Sequence, residues 1–297
     1  EALKKEIIIT AKFIDENRLA IGTAFQGLYV IDLKSHTYKN INRNNSLKNN
    51  SVLCIGFDRE KDLWLGLDNG ISHIEINSPY AIFSDNTGVL GSVYTLASIK
   101  NGYLLGSNHG VFEYKNKKLH LLPNSQGQVW DIQKIDSKYI IGHNDGTFVY
   151  ENESLKKVNS ISGGWKFQQS DFDNKYFQAN YSGIIVYDFP IDFSRYKVIA
   201  NLTKPIKNIA QNKPKELWAV DNYRSLFRIT FNDKYEVEKV ENITQQNKIW
   251  NDYGVKMFNF KNEILFFINS AWYHFNTISN KLEKNAIFNK NFATISE

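Results

Sequence analysis

The chain has 297 residues, of which 42% are hydrophobic, 23% charged and 14% aromatic, enough to bury a core and, with 16 Tyr, 20 Phe and 6 Trp, weighted toward β-structure. One cysteine, Cys54, excludes an intrachain disulfide framework and a Cys-based zinc module, and 5 prolines exclude a polyproline stalk. The net charge of +5 is mild, and its short basic runs, Lys115 to His120 and Ser154 to Val158, read as solvated strand edges and not as a nucleic-acid patch.

The longest apolar run, Ile264 to Ile268, is strand-sized and far below the ~18 residues of a membrane span. The chain opens at Glu1 with no secretory leader, so it is expected to be a processed product or an excised part of something longer.

An internal repeat organises the sequence. The first unit reads as four strands, roughly Ile7–Ile14, Arg18–Ala24, Leu28–Leu33 and Tyr38–Ile41. The pattern of its middle pair returns at Asp62–Ile76, Gly102–Asn116, Lys138–Asn152, Lys175–Phe189, Glu216–Phe231 and Glu263–Thr277. Each pair flanks a polar turn, such as Asp68-Asn69-Gly70, and Asn-Gly tolerates the positive φ of a tight hairpin. A small or apolar residue precedes the turn: Gly22, Gly66, Gly106, Gly142, Ala179, Ala219 and Ile268. Small side chains there let a neighbouring backbone approach.

Another apolar run precedes most pairs: Val52–Phe57, Val93–Ile99, Val129–Ile135, Ile206–Ala210 and Val255–Phe260. A shorter polar strand follows, and no helical periodicity competes. The period of about 36 to 49 residues is that of propeller blades. The expected fold is all-β, a seven-bladed β-propeller of four-stranded antiparallel blades forming one domain over 1–297. Blades are expected at 6–42, 51–85, 93–123, 129–160, 165–202, 206–241 and 254–288. The tail from Asn291 to Glu297 either adds a strand or begins a following segment.

The stretch Asn44 to Ile74 is more specific. It has an Asn/Ser-rich loop (Asn49-Asn50-Ser51-Val52), an Asp-rich turn (Asp58 to Asp62), then Leu63-Trp64-Leu65-Gly66 and Asn69-Gly70-Ile71. This resembles the two-component regulator propeller repeat, and the other units match it in outline. The turn departs from the family pattern by lacking a Gly before Asp62-Leu63-Trp64, and the last three units have drifted. The segment Ile74 to Leu96 resembles the mid-region of long Bacteroidetes regulators. These carry periplasmic propellers, an Ig-like triple-tyrosine domain, a membrane helix and a kinase or DNA-binding output. The resemblance implies a periplasmic sensor propeller with an oligosaccharide ligand, set in a homodimeric receptor beside another propeller or the Ig-like domain. Membrane contact is then made only by segments outside this chain, which touches no nucleic acid.

Catalytic signatures are absent: no G-x-S-x-G elbow, P-loop, dinucleotide fingerprint or H-E-x-x-H occurs. A sialidase needs an Arg cluster to clamp a carboxylate, and the Arg residues here are scattered. His109 and His143 occupy corresponding turns and could converge as a metal pair, though a His is also an ordinary turn residue. The acidic turns Asp58–Asp62 and Asp171–Asp173 lack calcium-loop spacing. The chain is therefore read as a non-enzyme without cofactor or metal, a propeller lyase or hydrolase being the lesser alternative.

A binding mouth is the stronger reading. Candidate stacking and polar residues are Trp130, Trp165, Tyr181, Tyr223, Arg224, Trp250 and Tyr253, with His109 and His143. Trp64, Gly66, Asn69, Gly70, Gly106, Gly142 and Trp218 are read as structural members of the repeat. The remaining alternative is a pure interaction propeller, with its interface at the loop Pro190–Tyr196 and the aromatics Phe189, Phe193 and Tyr196.

Overall fold

The computed structural model describes residues 3–80, 85, 87–116, 118–250 and 254–292. Internal contacts gather the chain into two compact units, Glu1–Val89 and Leu90–Glu297, where the sequence reading takes one domain. Seven antiparallel sheets follow one another in chain order, and these are the blades of a seven-bladed β-propeller.

The first unit holds two blades. Blade 1 is β1 (Ile8–Phe13), β2 (Arg18–Thr23), β3 (Leu28–Asp32) and β4 (Thr37–Ile41). Blade 2 is β5 (Val52–Phe57), β6 (Leu63–Leu67) and β7 (Gly70–Ile74). Four strands were expected in blade 2; among the described residues it has three.

The second unit holds five. Blade 3 is β8 (Val93–Ile99), β9 (Gly102–Ser107), β10 (Val111–Lys115) and β11 (Lys118–Leu121). Blade 4 is β12 (Val129–Ile135), β13 (Lys138–His143), β14 (Gly146–Glu151) and β15 (Ser154–Asn159). Blade 5 is β16 (Lys166–Gln169), β17 (Lys175–Asn180), β18 (Gly183–Asp188) and the short β19 (Lys197–Val198). Blade 6 is β20 (Ile206–Ala210), β21 (Glu216–Asp221), β22 (Leu226–Phe231) and β23 (Val237–Asn242), with a helical turn α1 (Ile243–Gln246) after it. Blade 7 is β24 (Lys256–Phe260), β25 (Glu263–Ile268), β26 (Ala271–Asn276) and β27 (Lys281–Lys284), closed by the helix α2 (Ala286–Phe292).

The two helices are a departure from the strand-only expectation. Asn242 caps α1 by accepting the Gln245 N–H, and the side chain of Asn289 in α2 bonds both the N–H and the carbonyl of Trp272. The polar tail thus begins as helix at Asn291 and Phe292, and 293–297 lie outside the described residues.

Alternation along each strand sends apolar side chains between blades. One core in the first unit joins Leu28 and Ala20 of blade 1 to Val52, Leu63 and Leu65 of blade 2. In the second unit, successive cores join blades 3 and 4 (Leu104, Ile132, Ile141), 4 and 5 (Ile140, Phe167, Tyr187), 5 and 6 (Phe177, Ile184, Leu217) and 6 and 7 (Trp218, Leu226, Phe266).

The repeat glycines sit where those faces come closest. A Cβ on Gly106 would lie 2.5 Å from Val129 Cγ1 of the next blade, and one on Gly142 would lie 1.8 Å from the Gly164 carbonyl oxygen. In the last two blades strand register corrects the sequence alignment by one residue. Gly142 faces Asp131, and the residue so placed in blade 6 is Val220, facing Asn208, where Ala219 was expected. In blade 7 it is Phe267, where Ile268 was expected.

Candidate functional site

The site grows from a bulge repeated on innermost strands. In β12, Val129 faces His143 and Asp131 faces Gly142, so Trp130 is the extra residue. Tyr94 holds the same place in β8 and Lys207 in β20. In blade 5 Lys166 pairs with Ala179 while the Trp165 N–H bonds the Ala179 carbonyl, which makes Trp165 the equivalent. A bulge re-aims its extra side chain out of the ladder. Three successive blades of the second unit therefore turn an aromatic ring toward one end.

These rings meet. Tyr94 and Trp130 stack with centroids 5.1 Å apart and planes 14° apart. Trp165 lies edge-on to Trp130 at 6.0 Å and to Tyr181 at 4.7 Å. The Trp130 indole N–H donates to the Tyr181 hydroxyl at 2.8 Å. Burial pushes the Tyr181 phenol pKa upward, so the hydroxyl stays protonated at neutral pH.

Tyr181 explains how blade 5 differs. Blades 3 and 4 have Asn108 and Asn144 at this turn position. Their side-chain oxygens accept the N–H of Ser92 and Gln128, which pins the loop leading into the innermost strand. With Tyr181 in place of Asn, the ring packs over Gly163, whose φ is +79°, and its hydroxyl reaches blade 4. A Cβ on Gly163 would lie 2.1 Å from the ring.

The remaining candidates separate from this cluster. His143 is 1% exposed. Its Nδ1 accepts the Asp145 N–H and its ring lies edge-on to Phe148, and burial lowers its pKa. A side chain so enclosed cannot face a ligand, which corrects its place among the mouth residues and as half of a metal pair. His109 is exposed in the blade 3 turn. In blade 6 Asp221 accepts the N–H groups of Tyr223, Arg224 and Ser225, presenting Tyr223 at 65% exposure. Trp250 is 87% exposed and has no ring contact with another described residue, so it stands apart from the aromatic series. Tyr253 lies outside the described residues. Sequence reasoning missed Tyr94, because Val93-Tyr94-Thr95 reads as ordinary strand; aligned on Trp130, Tyr94 holds the matching place.

The structural group divides. Trp218 is buried between Phe266 and Phe275. Trp64 is 46% exposed, its ring tilted 33° against that of His73 and its indole donating to Asp58. Asn69 is exposed and Gly70 supplies φ +96°.

Asp58, Asp62 and His73 are the one group of three metal-ligating side chains among the described residues. Both oxygens of Asp58 and one of Asp62 are already engaged. Asp58 accepts N–H groups from Glu60, Asp62 and Trp64 and contacts His73 Nε2 at 3.1 Å, and Asp62 accepts the Ile76 N–H. This is a turn lock, and the site is left to the aromatic cluster.

No family model and no curated protein matches the sequence. Solved structures do match its fold. The extracellular domain of a protein described as a hybrid two-component system from B. thetaiotaomicron (BT3049) aligns with TM-score 0.66 at 17% identity, over 93% of this chain and 40% of that one. The extracellular domain of a one-component system from the same organism (BT4673) aligns with TM-score 0.54 at 16% identity, over 94% of this chain and 43% of that one. The chain thus spans less than half the length of either. The likeness is one of fold.

Proposed function

We propose that this chain is the extracytoplasmic, periplasmic sensory propeller of a bacterial signal-transduction regulator, and that it binds a small molecule of the oligosaccharide class without catalysis. The observation that carries this reading is the Tyr94–Trp130–Trp165 series tethered by Tyr181. Indole and phenol rings offer flat apolar faces with a polar edge, which suits the C–H face and hydroxyl rim of a pyranose.

In this reading the chain works in a homodimeric receptor, beside a sister propeller or an Ig-like domain, and the output and membrane segments lie elsewhere. Binding shifts that receptor only by the ligand's differential affinity for its two states. The interaction-only alternative draws less support. Phe193 and Tyr196 pack edge-on against Tyr187 at 5.5 and 6.0 Å, and Phe193 also joins the core shared with Ile140 of blade 4, so part of this loop is already engaged within the chain.

The test is a thermal-shift screen against oligosaccharides, repeated on Trp130→Ala and Trp165→Ala. A ligand at a hundredfold excess over its Kd adds about 2.7 kcal/mol of stability. A shift in the wild type that both variants lose is expected. No shift with any saccharide sinks the proposal.

A further inference from the structure

The bulge series does not end on an aromatic. Its next member, Lys207 in β20, is exposed and makes no ion pair among the described residues. β20 packs against β16, which follows Trp165. The cation therefore stands at the matching level of the blade beside Trp165. We infer that the ligand carries an anionic group, a carboxylate or a sulfate, placed for Lys207 when its neutral face lies on the Trp130–Trp165 rings. This rests on the reading of that face as the ligand site.

The local charges favour it. Asp131 and Asp221 are buried and held by backbone N–H groups, Asp131 by Phe167 at 2.9 Å and Asp221 by three turn amides. Each also has a lysine 4.0 Å away, Lys166 and Lys204. Both acids are thus buried while their lysines stay partly exposed, and Lys207 is exposed without an acidic partner among the described residues. Among the described residues of the blade 4 and blade 6 hairpin turns, the exposed carboxylate is Asp145, in blade 4, whereas Lys207 stands in blade 6. A charge-assisted contact to an anion is about twice as strong as a neutral hydrogen bond.

The experiment uses matched probes that differ only in charge. Trigalacturonate is compared with its methyl ester, and a sulfated chondroitin disaccharide with its desulfated form, by calorimetric titration of wild type, Lys207→Met and Trp130→Ala. The charged member of one pair is expected to bind about tenfold tighter, with Lys207→Met removing that preference and Trp130→Ala weakening both members. The pair that responds distinguishes carboxylate from sulfate. Equal binding of charged and uncharged members, or a preference that survives Lys207→Met, overturns the inference and leaves the saccharide reading standing. Binding of no probe, in a chain that also shows no shift in the wider saccharide screen, overturns both.

Discussion

The indole N–H of Trp130 donates to the hydroxyl of Tyr181 at 2.8 Å, and this bond ties the innermost strand of blade 4 to the turn of blade 5. It fixes two of the four rings that make the aromatic face, and it costs the ligand nothing in rotamer entropy to find them in place. Removing only the hydroxyl tests it. Tyr181→Phe leaves a half-buried indole N–H without its partner, so a loss of about 1 kcal/mol is expected. In a chain of this size that lowers Tm by about 2 °C. Ligand affinity falls as well, because Trp130 is released. An unchanged Tm and affinity would show that the bond holds nothing in place.

Two glycines with positive φ separate strain from crowding. Gly163 (φ +79°) lies under the Tyr181 ring, and Gly70 (φ +96°) has open space where a Cβ would stand. Alanine at either meets the left-handed penalty of about 1–2 kcal/mol. Gly163→Ala must also displace the ring. It is expected to unfold at lower urea than Gly70→Ala and to lose ligand binding, which Gly70→Ala keeps. Equal effects of the two substitutions would remove the packing argument.

The blade pattern was legible because a period-2 strand and an Asn-Gly turn both leave marks in sequence. The four strands of blade 1 fall within a residue of their expected ends. The bulge was not legible, because one extra residue in a ladder changes register without changing composition. That is why Tyr94 went unread. Ala219 and Ile268 were aligned one place off because their units lack the glycine that marks this place in blades 1 to 4. Burial was legible only in part. Trp64 and Trp218 share a Leu-Trp signature, yet Trp218 has Phe266 of the next blade to pack on and Trp64 has His73 of its own. His143 shows the same limit. Its turn position suggested a ligand-facing ring, and Gly127, packed against that ring, belongs to what encloses it.

His143 makes stability depend on pH. Burial holds its imidazole pKa below the ordinary value of 6.5, so the folded state favours the neutral ring. Above the unfolded value both states are neutral and the full stability is present. As pH falls below it, the unfolded chain protonates first and stability is lost down through the folded pKa. The urea midpoint is expected to drop between pH 7.5 and 5. The drop should be smaller in His143→Asn, whose amide oxygen can still accept the Asp145 N–H. Parallel pH profiles for the two proteins would rule out this imidazole as the source.

Blade 6 carries a buried ionic network that should tolerate no single deletion. Glu216 is 4% exposed, and it accepts from Arg228 Nε at 2.6 Å and from the Trp218 indole at 3.1 Å. Arg228 also lies 3.7 Å from Glu241. Removing one member leaves the others desolvated and partly unpaired, an effect of about 3 kcal/mol. Glu216→Gln is expected to lower the urea midpoint far more than Lys215→Gln, whose ion pair with Asp233 is exposed. Equal effects would mean that water reaches the network.

The Asp58 turn is expected to ignore metals. Its carboxyl pKa lies below the usual value, chiefly through the backbone N–H of Asp62 and then through His73 and Trp64. A cation would have to displace these donors, because Asp58 accepts through both oxygens. Calcium or zinc at millimolar concentration should therefore leave Tm unchanged, and a chelator should do the same. Asp58→Asn should lower Tm at pH 7. The stability carried by the depressed pKa is present above the unfolded value of 3.8 and is lost as pH falls through the folded one, so the gap between the two proteins should close in that acidic window. A Tm that rises with zinc and stops rising in Asp58→Asn would instead make the turn a metal site.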